Sequence, residues 1–430
     1  MQSVQLEIPK SMQNKISEVQ ELLASRPKLA ELFANCYPNT YLTTLKPQPD
    51  GTTFVITGDI PAMWLRDSAA QVHPYLSLAS HDQEILEMLT GVIRRQVRFI
   101  LHDPYANAYN ETANGAGHQS DLTDMTPFIW ERKYEVDSLC YPIWLAYWLW
   151  KETGSANHLD AEFWQAAEAI IALWTTEQYH AERSPYKFDR LNPWAPYDTL
   201  SHEGHGAPVA YTGMTWSGFR PSDDACTYGY LIPSNMFAAV VLDYVAEMAA
   251  VLLPAAVTLI ADAKRLGGEI RDGIDKYGKV EHPEFGTIYA YETDGMNNYV
   301  LMDDPNIPSL LSAPYLGYCE ADDPVYLNTR SFILSKSNPY YYSGKVAKGI
   351  GSPHTPDGYV WHLALSMQGL TALDEAETES IIATMERTDA DTGFMHEGFH
   401  CDDPAQFSRP WFAWSNSLFS ELVMKFIGKK

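Results

Sequence analysis

Paired cysteines are missing from this chain. Its five, Cys36, Cys140, Cys226, Cys319 and Cys401, are odd in number and scattered, with no C-x-x-C pair. That argues against a disulfide framework and a zinc–thiolate site. Positive charge is also scarce. The 30 Lys and Arg face 55 Asp and Glu, a net charge of −25. With no cationic surplus to release counterions, a nucleic-acid partner is not expected. The start, MQSVQLEIPKSMQNKISEVQ, has no positive region followed by an apolar run and a small-residue cleavage site. No stretch of about 18 apolar residues stands out, so no spanning helix and no membrane partner are expected. The simplest expectation is a cytoplasmic, reduced protein. G-x-S-x-G, Walker and Rossmann motifs are absent, and nothing calls for a nucleotide or other cofactor.

What is present is a soluble-protein composition, 46% hydrophobic and 20% charged over 430 residues. Helical periodicity dominates: Ile85, Met88, Leu89, Val92, Ile93, Val97 and Ile100 follow the i, i+3, i+4, i+7 template. Ser80 and Gln83 offer that helix a capping box. Further helices are predicted near 11–34, 64–78, 138–152, 231–248, 250–275, 327–337, 359–371, 375–388 and 411–427, with short strands near Thr53–Ile56 and Thr287–Tyr291. Long polar loops at 103–136, 180–229, 292–312 and 389–410 carry Trp, Tyr, Asp and His, which marks them as functional. No linker or composition break divides the chain. The expectation is one all-α domain over 1–430, a helical toroid of alternating inner and outer helices with long rim loops. A non-toroidal helical array fits the same pattern.

Three segments carry candidate chemistry. Thr57–Ser68 packs Trp64, Arg66, Asp59 and Asp67 into one turn-rich stretch. A guanidinium fork beside a carboxylate matches neighbouring sugar hydroxyls, and an indole covers a sugar ring. The same residues would also make a buried ion pair beside a core Trp. Phe219–Tyr228 holds adjacent carboxylates, Asp223 and Asp224. Enclosure by Tyr and Pro would disfavour a charged carboxylate there, as a general acid requires, although Ser/Asp helix caps look similar. Asp391–His400 contains H-E-x-x-H as His396, Glu397 and His400, a zinc pattern when helical. Gly393 and Gly398 beside it argue against a helix, leaving a loop that presents Glu397 as acid or base. Weaker clusters are Glu135 with Asp137, Asp303 and Asp304 with Asn306, and His354.

The segments TGDIPAMWLRDS (57–68), RPSDDACTYGYLIPSN (220–235) and TGFMHEGFH (392–400), with the stretches 299–318 and 349–365, resemble glycoside hydrolase family 125. That resemblance implies a metal-independent, exo-acting α-1,6-mannosidase on an (α/α)6 barrel, inverting at the anomeric carbon. It implies Asp224 as general acid and Glu397 as general base. Arg66 and Asp67 would grip the terminal mannose, and Trp64, Glu135, Asp137, Asp304, Asn306 and His354 would line the pocket. The partner would be a mannose-containing oligosaccharide. Alternatives are a glucosidase-like enzyme of the same class, a non-catalytic sugar-binding protein, and a zinc hydrolase. The two catalytic environments are expected to differ: apolar surface around Asp224, and a donor such as His or water beside Glu397.

Overall fold

Residues 6–428 are described by a computed structural model; the expected span of 1–430 runs past these at both ends. Helices whose residues are buried almost all round form an inner ring: Leu65–Val72, Val136–Thr153, Ile232–Leu252, His362–Leu370 and Ala413–Gly428. Outside them lie Pro27–Cys36, Gln83–His102, Ala161–Glu177, Val257–Tyr277, Pro324–Ile333 and Glu375–Met385. The difference follows from position. An inner helix meets protein on nearly every side, so that even Arg66, Asp67 and Gln71 of Leu65–Val72 are buried, whereas Gln83–His102 buries only one stripe, including Ile85, Leu89, Val92, Ile93 and Ile100.

The segment Ser309–Tyr318 takes the sixth inner position without forming a regular helix. Asp303 nucleates its turns, accepting the Leu310 and Leu311 N–H groups at 2.8 and 3.0 Å. Tyr315 then reaches inward, packing near His73 and Trp144 and donating to Glu421 at 2.8 Å. The result is the (α/α)6 barrel, its core one continuous cluster running from Met12 to Phe426.

Short antiparallel strands lead into three of the inner helices. Met63–Trp64, Tyr230–Leu231 and Tyr359–Trp361 each end where Leu65, Ile232 and His362 begin. Each strand pairs at the rim: Met63–Trp64 with Ala108–Tyr109, Tyr230–Leu231 with Glu292–Thr293, and Tyr359–Trp361 with Gly398–His400. The N-terminal ends of these helices therefore converge on one rim. They present free N–H groups and positive dipole ends there, an environment suited to acids.

Several local expectations are corrected. The predicted 11–34 helix is two, Lys10–Leu22 and Pro27–Cys36, because Pro27 restarts the chain at a helix N1 position. The 64–78 helix tightens into 3₁₀ turns at His73–Leu78, where Pro74 follows His73. The capping box is not formed. Asp82, one residue before Gln83, caps instead, accepting from Glu84 and Ile85 N–H at 3.0 and 3.3 Å, while Ser80 bonds His81. Ile232–Leu252 is long and apolar enough to cross a membrane by length and composition, contrary to expectation. It is 67% buried inside the barrel over its most apolar window, as an inner helix must be.

One backbone contact ties the first rim segment to the last helix. Gly58, at φ +127°, bridges Phe412, and a Cβ there would sit 2.5 Å from the Trp411 carbonyl oxygen. Gly58→Ala is expected to cost about 1–3 kcal/mol through strain and separation of the two segments. Thermal unfolding measures this, and an unchanged melting temperature would mean the contact yields without cost.

Candidate active site

At the rim where the inner helices begin is a small cleft of about 50 Å³, lined by Thr57, Ile60, Trp64, Arg66, Asp67, Pro221, Ser222, Asp223, Asn306, His354, Trp361, Glu397, Arg409, Phe412 and Trp414. Aromatic walls with convergent polar groups are the usual make-up of a small-molecule site. Trp64 Nε1 and Ser222 Oγ are buried without a protein partner. Unsatisfied buried donors are costly, and a hydroxylated ligand would satisfy them. A larger hollow of about 770 Å³ lies at the opposite, C-terminal ends of the inner helices, lined by His73, Trp144, Trp148 and Tyr315. Its half-buried acid Glu421 is already bonded to His73 and Tyr315, and none of the catalytic candidates reaches it. Chemistry, not size, decides for the rim cleft.

Arg66 is only 3% exposed and stands at the cleft floor. Its fork donates to Glu135 at 2.6 Å, Asp137 at 3.0 Å and Asp223 at 3.2 Å, with Asp67 3.4 Å from Nε. Burial pushes Glu135 well above the usual carboxylate range despite Arg66. For Asp223 burial pulls the same way, but Arg66, a hydrogen bond from Glu135 and Lys133 hold it below that range. Of the two, Glu135 is the one whose charge is disfavoured. Asp67 is raised to about 6 by burial, with Arg66 opposing. Arg66 Nη1 donates to Glu135 and Asp137 and Nη2 to Asp223, while Nε has no hydrogen-bond partner; Glu135 and Asp137 are buried behind the wall and do not line the cleft. Asp304 is also behind: it accepts from Asn306 at 2.9 Å and Ser352 at 2.7 Å, which orients Asn306 at the surface.

Asp223 and Asp224 diverge because Asp223 adopts φ +65°. The turn is closed by Asp223 N–H on Arg220 O at 2.9 Å and Arg220 N–H on Asp224 O at 2.7 Å. Asp223 faces Arg66, while Asp224 Oδ1 lies 2.9 Å from His354 Nδ1. Asp224 is 1% exposed and its Oδ2 has no protein partner. The expected apolar enclosure of Asp224 is thus incomplete, since an imidazole stands against one oxygen. Burial disfavours charge on His354, but the hydrogen bond and charge of Asp224, with Glu397 and Asp223 beyond, raise it to about 9.

Glu397 enters from the loop before the Gly398–His400 strand. Ser408 Oγ donates to it at 2.8 Å, and Arg409 Nη1 lies 3.5 Å away. The protein groups beside it are a hydroxyl and a guanidinium, and no histidine. Arg409 is in turn held by Asp59, with Nη2 at 2.5 Å from Oδ1. The H-E-x-x-H pattern does not assemble, because His400 lies on that strand while buried His396 stacks on Phe407 at 3.9 Å. Among the described residues the one metal-compatible cluster is His400, Cys401 and Asp402. There Asp402 accepts the Lys345 N–H, and His400 accepts that of Asp402.

Sequence reasoning missed Arg409, Ser408, Trp361, Phe412 and Trp414, and did not place Asp59 in the site. Asp59 lay inside the first motif and carried a signal. Arg409 lies 350 residues from Asp59, and the backbone contacts between Thr57–Asp59 and Trp411–Ala413 bring them together.

A rim cleft holding buried carboxylates on an (α/α)6 barrel defines a glycoside hydrolase, and comparisons place the chain more closely. The family model of the metal-independent α-mannosidases, glycoside hydrolase family 125, matches residues 26–424, and the chain belongs to that family. A Streptococcus pneumoniae metal-independent α-mannosidase, solved in a non-productive complex with α-1,6-mannobiose, is 50% identical, with a TM-score of 0.96 over 98% of this chain and 99% of that one. The meiotically up-regulated gene 157 protein of Schizosaccharomyces pombe is 39% identical over 98% of this chain and 86% of its own length. A bacterial glucoamylase bound to acarbose, 13% identical, shares the fold at a TM-score of 0.59 over 93% of this chain and 56% of that one.

The His354 charge yields a stability test. Its folded value near 9 lies above the ordinary 6.5, so its contribution is fully present below about pH 6.5 and disappears as pH rises through 9. With the side chain 30% exposed, His354→Gln is expected to destabilise by about 1–3 kcal/mol at pH 6 and by little near pH 10. Denaturant unfolding at the two pH values measures this. An equal loss at both would assign His354 a packing role only.

Proposed function

We propose that this α-mannosidase is exo-acting and inverting, and that it hydrolyses terminal α-1,6-linked mannose from the non-reducing end of glycans. The observation that supports the reading is that Glu397 and His354 line one small cleft, with Asp224 directly behind His354 at 2.9 Å and Glu397 paired separately with Ser408. The complex of the Streptococcus pneumoniae relative with α-1,6-mannobiose supports the sugar and the linkage.

Asp224 protonates the glycosidic oxygen as the bond to the anomeric carbon breaks, its electron pair leaving with that oxygen. Glu397 takes a proton from water, whose oxygen attacks the anomeric carbon from the opposite face. Ser408 and Arg409 keep the Glu397 carboxylate oriented as it does so. The α-mannoside is released as β-mannose. Once Asp224 has lost its proton, the His354 imidazolium stands against the resulting anion. Trp64, Asp67 and Asn306 contact the terminal sugar, and Arg66 fixes the floor beneath it.

Digestion of α-1,6-mannobiose followed by NMR of the first-formed anomer tests sugar, linkage and stereochemistry together. β-Mannose is expected, and α-mannose as the first product would overturn inversion. Asp224→Asn and Glu397→Gln are each expected to lower kcat by about 10²–10⁴-fold with an unchanged melting temperature. Wild-type turnover in either variant would remove that residue from its role.

A further inference from the structure

Of the chain's 12 tryptophans, Trp194 alone is exposed, at 59% of its surface. A bare indole is uncommon, because so large an apolar face gains from burial. Here it is not the tip of a slack loop. Asp198 Oδ2 accepts the Trp194 N–H at 3.3 Å, and the Asp198 carboxylate is itself bonded to Lys133 and Arg190, each at 2.8 Å. Tyr197 then joins this loop to both halves of the acid pair. Its carbonyl accepts the Ala225 N–H at 2.7 Å, immediately after Asp224, and its hydroxyl donates to the Pro353 carbonyl at 3.1 Å, immediately before His354. The Trp194 ring meets the edge of His354 at 5.3 Å and that of Tyr197 at 5.2 Å, both near perpendicular.

The chemistry gives this placement a direction. A general acid must reach the glycosidic oxygen, and the departing sugar leaves with that oxygen, so the leaving group lies on the Asp224 side of the scissile bond. Water enters on the Glu397 side, where Ser408, Arg409 and Asp59 stand. From Asp224 outward the order is His354, then Trp194. Resting on the glycosidase reading above, we propose that Trp194 is the platform on which the leaving-group sugar packs. It is a specificity-determining residue that selects glycosides whose aglycone is itself a pyranose. The flat indole covers the apolar face of that ring, and its rigid anchoring means little order is lost on binding.

The test compares two substrates that share the transferred mannose and differ in leaving group: α-1,6-mannobiose, with a sugar to seat, and α-mannosyl fluoride, with none. Trp194→Ala is expected to lower kcat/KM for mannobiose by about tenfold, the scale of one lost aromatic contact, while changing the fluoride value less than about twofold. Trp194→Tyr is expected to recover most of the loss by restoring a flat ring. Equal losses on both substrates would make Trp194 a structural support of the acid pair. No loss on mannobiose would make it an uninvolved surface residue. Either result overturns the proposal. Failure of the underlying reading is separately visible, because the unsubstituted protein would then leave mannobiose uncleaved.

Discussion

A guanidinium buried to 3% exposure among acids is the constraint on which the rest of the site depends. Arg66 stays charged there because Glu135, Asp137, Asp223 and Asp67 surround it, their pull outweighing the burial that opposes it. Buried ion clusters are weak devices for stability, since desolvation offsets attraction, but removing one partner leaves uncompensated charge. Their value is in fixing geometry. Arg66 draws its carboxylate partners from three parts of the chain: its own helix turn, the start of the Val136–Thr153 helix and the 220–225 turn. Two inner-helix ends and the 220–225 turn are thereby locked together, with burial disfavouring charge on Glu135 and Arg66 opposing it.

The two carboxylates proposed as acid and base are differentiated by their partners. Asp224 faces an imidazole that can carry charge when the acid has lost its proton. Glu397 faces a permanent cation and a hydroxyl, which suit a group that begins the reaction as an anion. Each partner is held by a further contact: His354 through its backbone N–H on Ser352, itself bonded to Asp304, and Arg409 through Asp59. Side chains expected to touch sugar thus include several that act one step removed, positioning the groups that would. The division is economical for a cleft this small, where each wall position can hold one contacting group.

Helical periodicity made the barrel legible, because outer helices such as Gln83–His102 have one apolar stripe and inner ones such as Ile232–Leu252 are apolar over most of their circumference, with Asp243 and Glu247 exposed in the second half. The irregular sixth inner segment was not legible, since Ser309–Tyr318 gets its shape from Asp303 accepting two N–H groups, a contact with no periodicity. In the site, motif shape pointed to Trp64, Arg66, the Asp223–Asp224 pair and Glu397. What it could not convey was direction. Glu135, Asp137 and Asp304 look like ligand-binding acids in a sequence, yet each faces a protein donor, and facing is settled by tertiary packing. Arg409 was invisible for the complementary reason: an Arg between Ser and Pro in a loop is unremarkable until a strand contact 350 residues away supplies Asp59.

The adjacency of Asp223 and Asp224 shows how these levels meet. In an ordinary extended strand, neighbours alternate faces, but both could still shift with the loop. Here the left-handed φ of Asp223 turns the chain sharply, and the paired Arg220 contacts close the turn around it. A non-glycine residue holds that conformation when its surroundings compensate the strain. The compensation is visible: Arg66 and Asn107 donate to the Asp223 carboxylate, and Lys133 to its carbonyl. Asp223 thus acts as the peg that fixes the turn, and Asp224 is aimed because its neighbour is held. The same Arg66 that seemed suited to grip a sugar therefore acts on the acid, through the peptide bond between two aspartates that sequence chemistry alone could not tell apart.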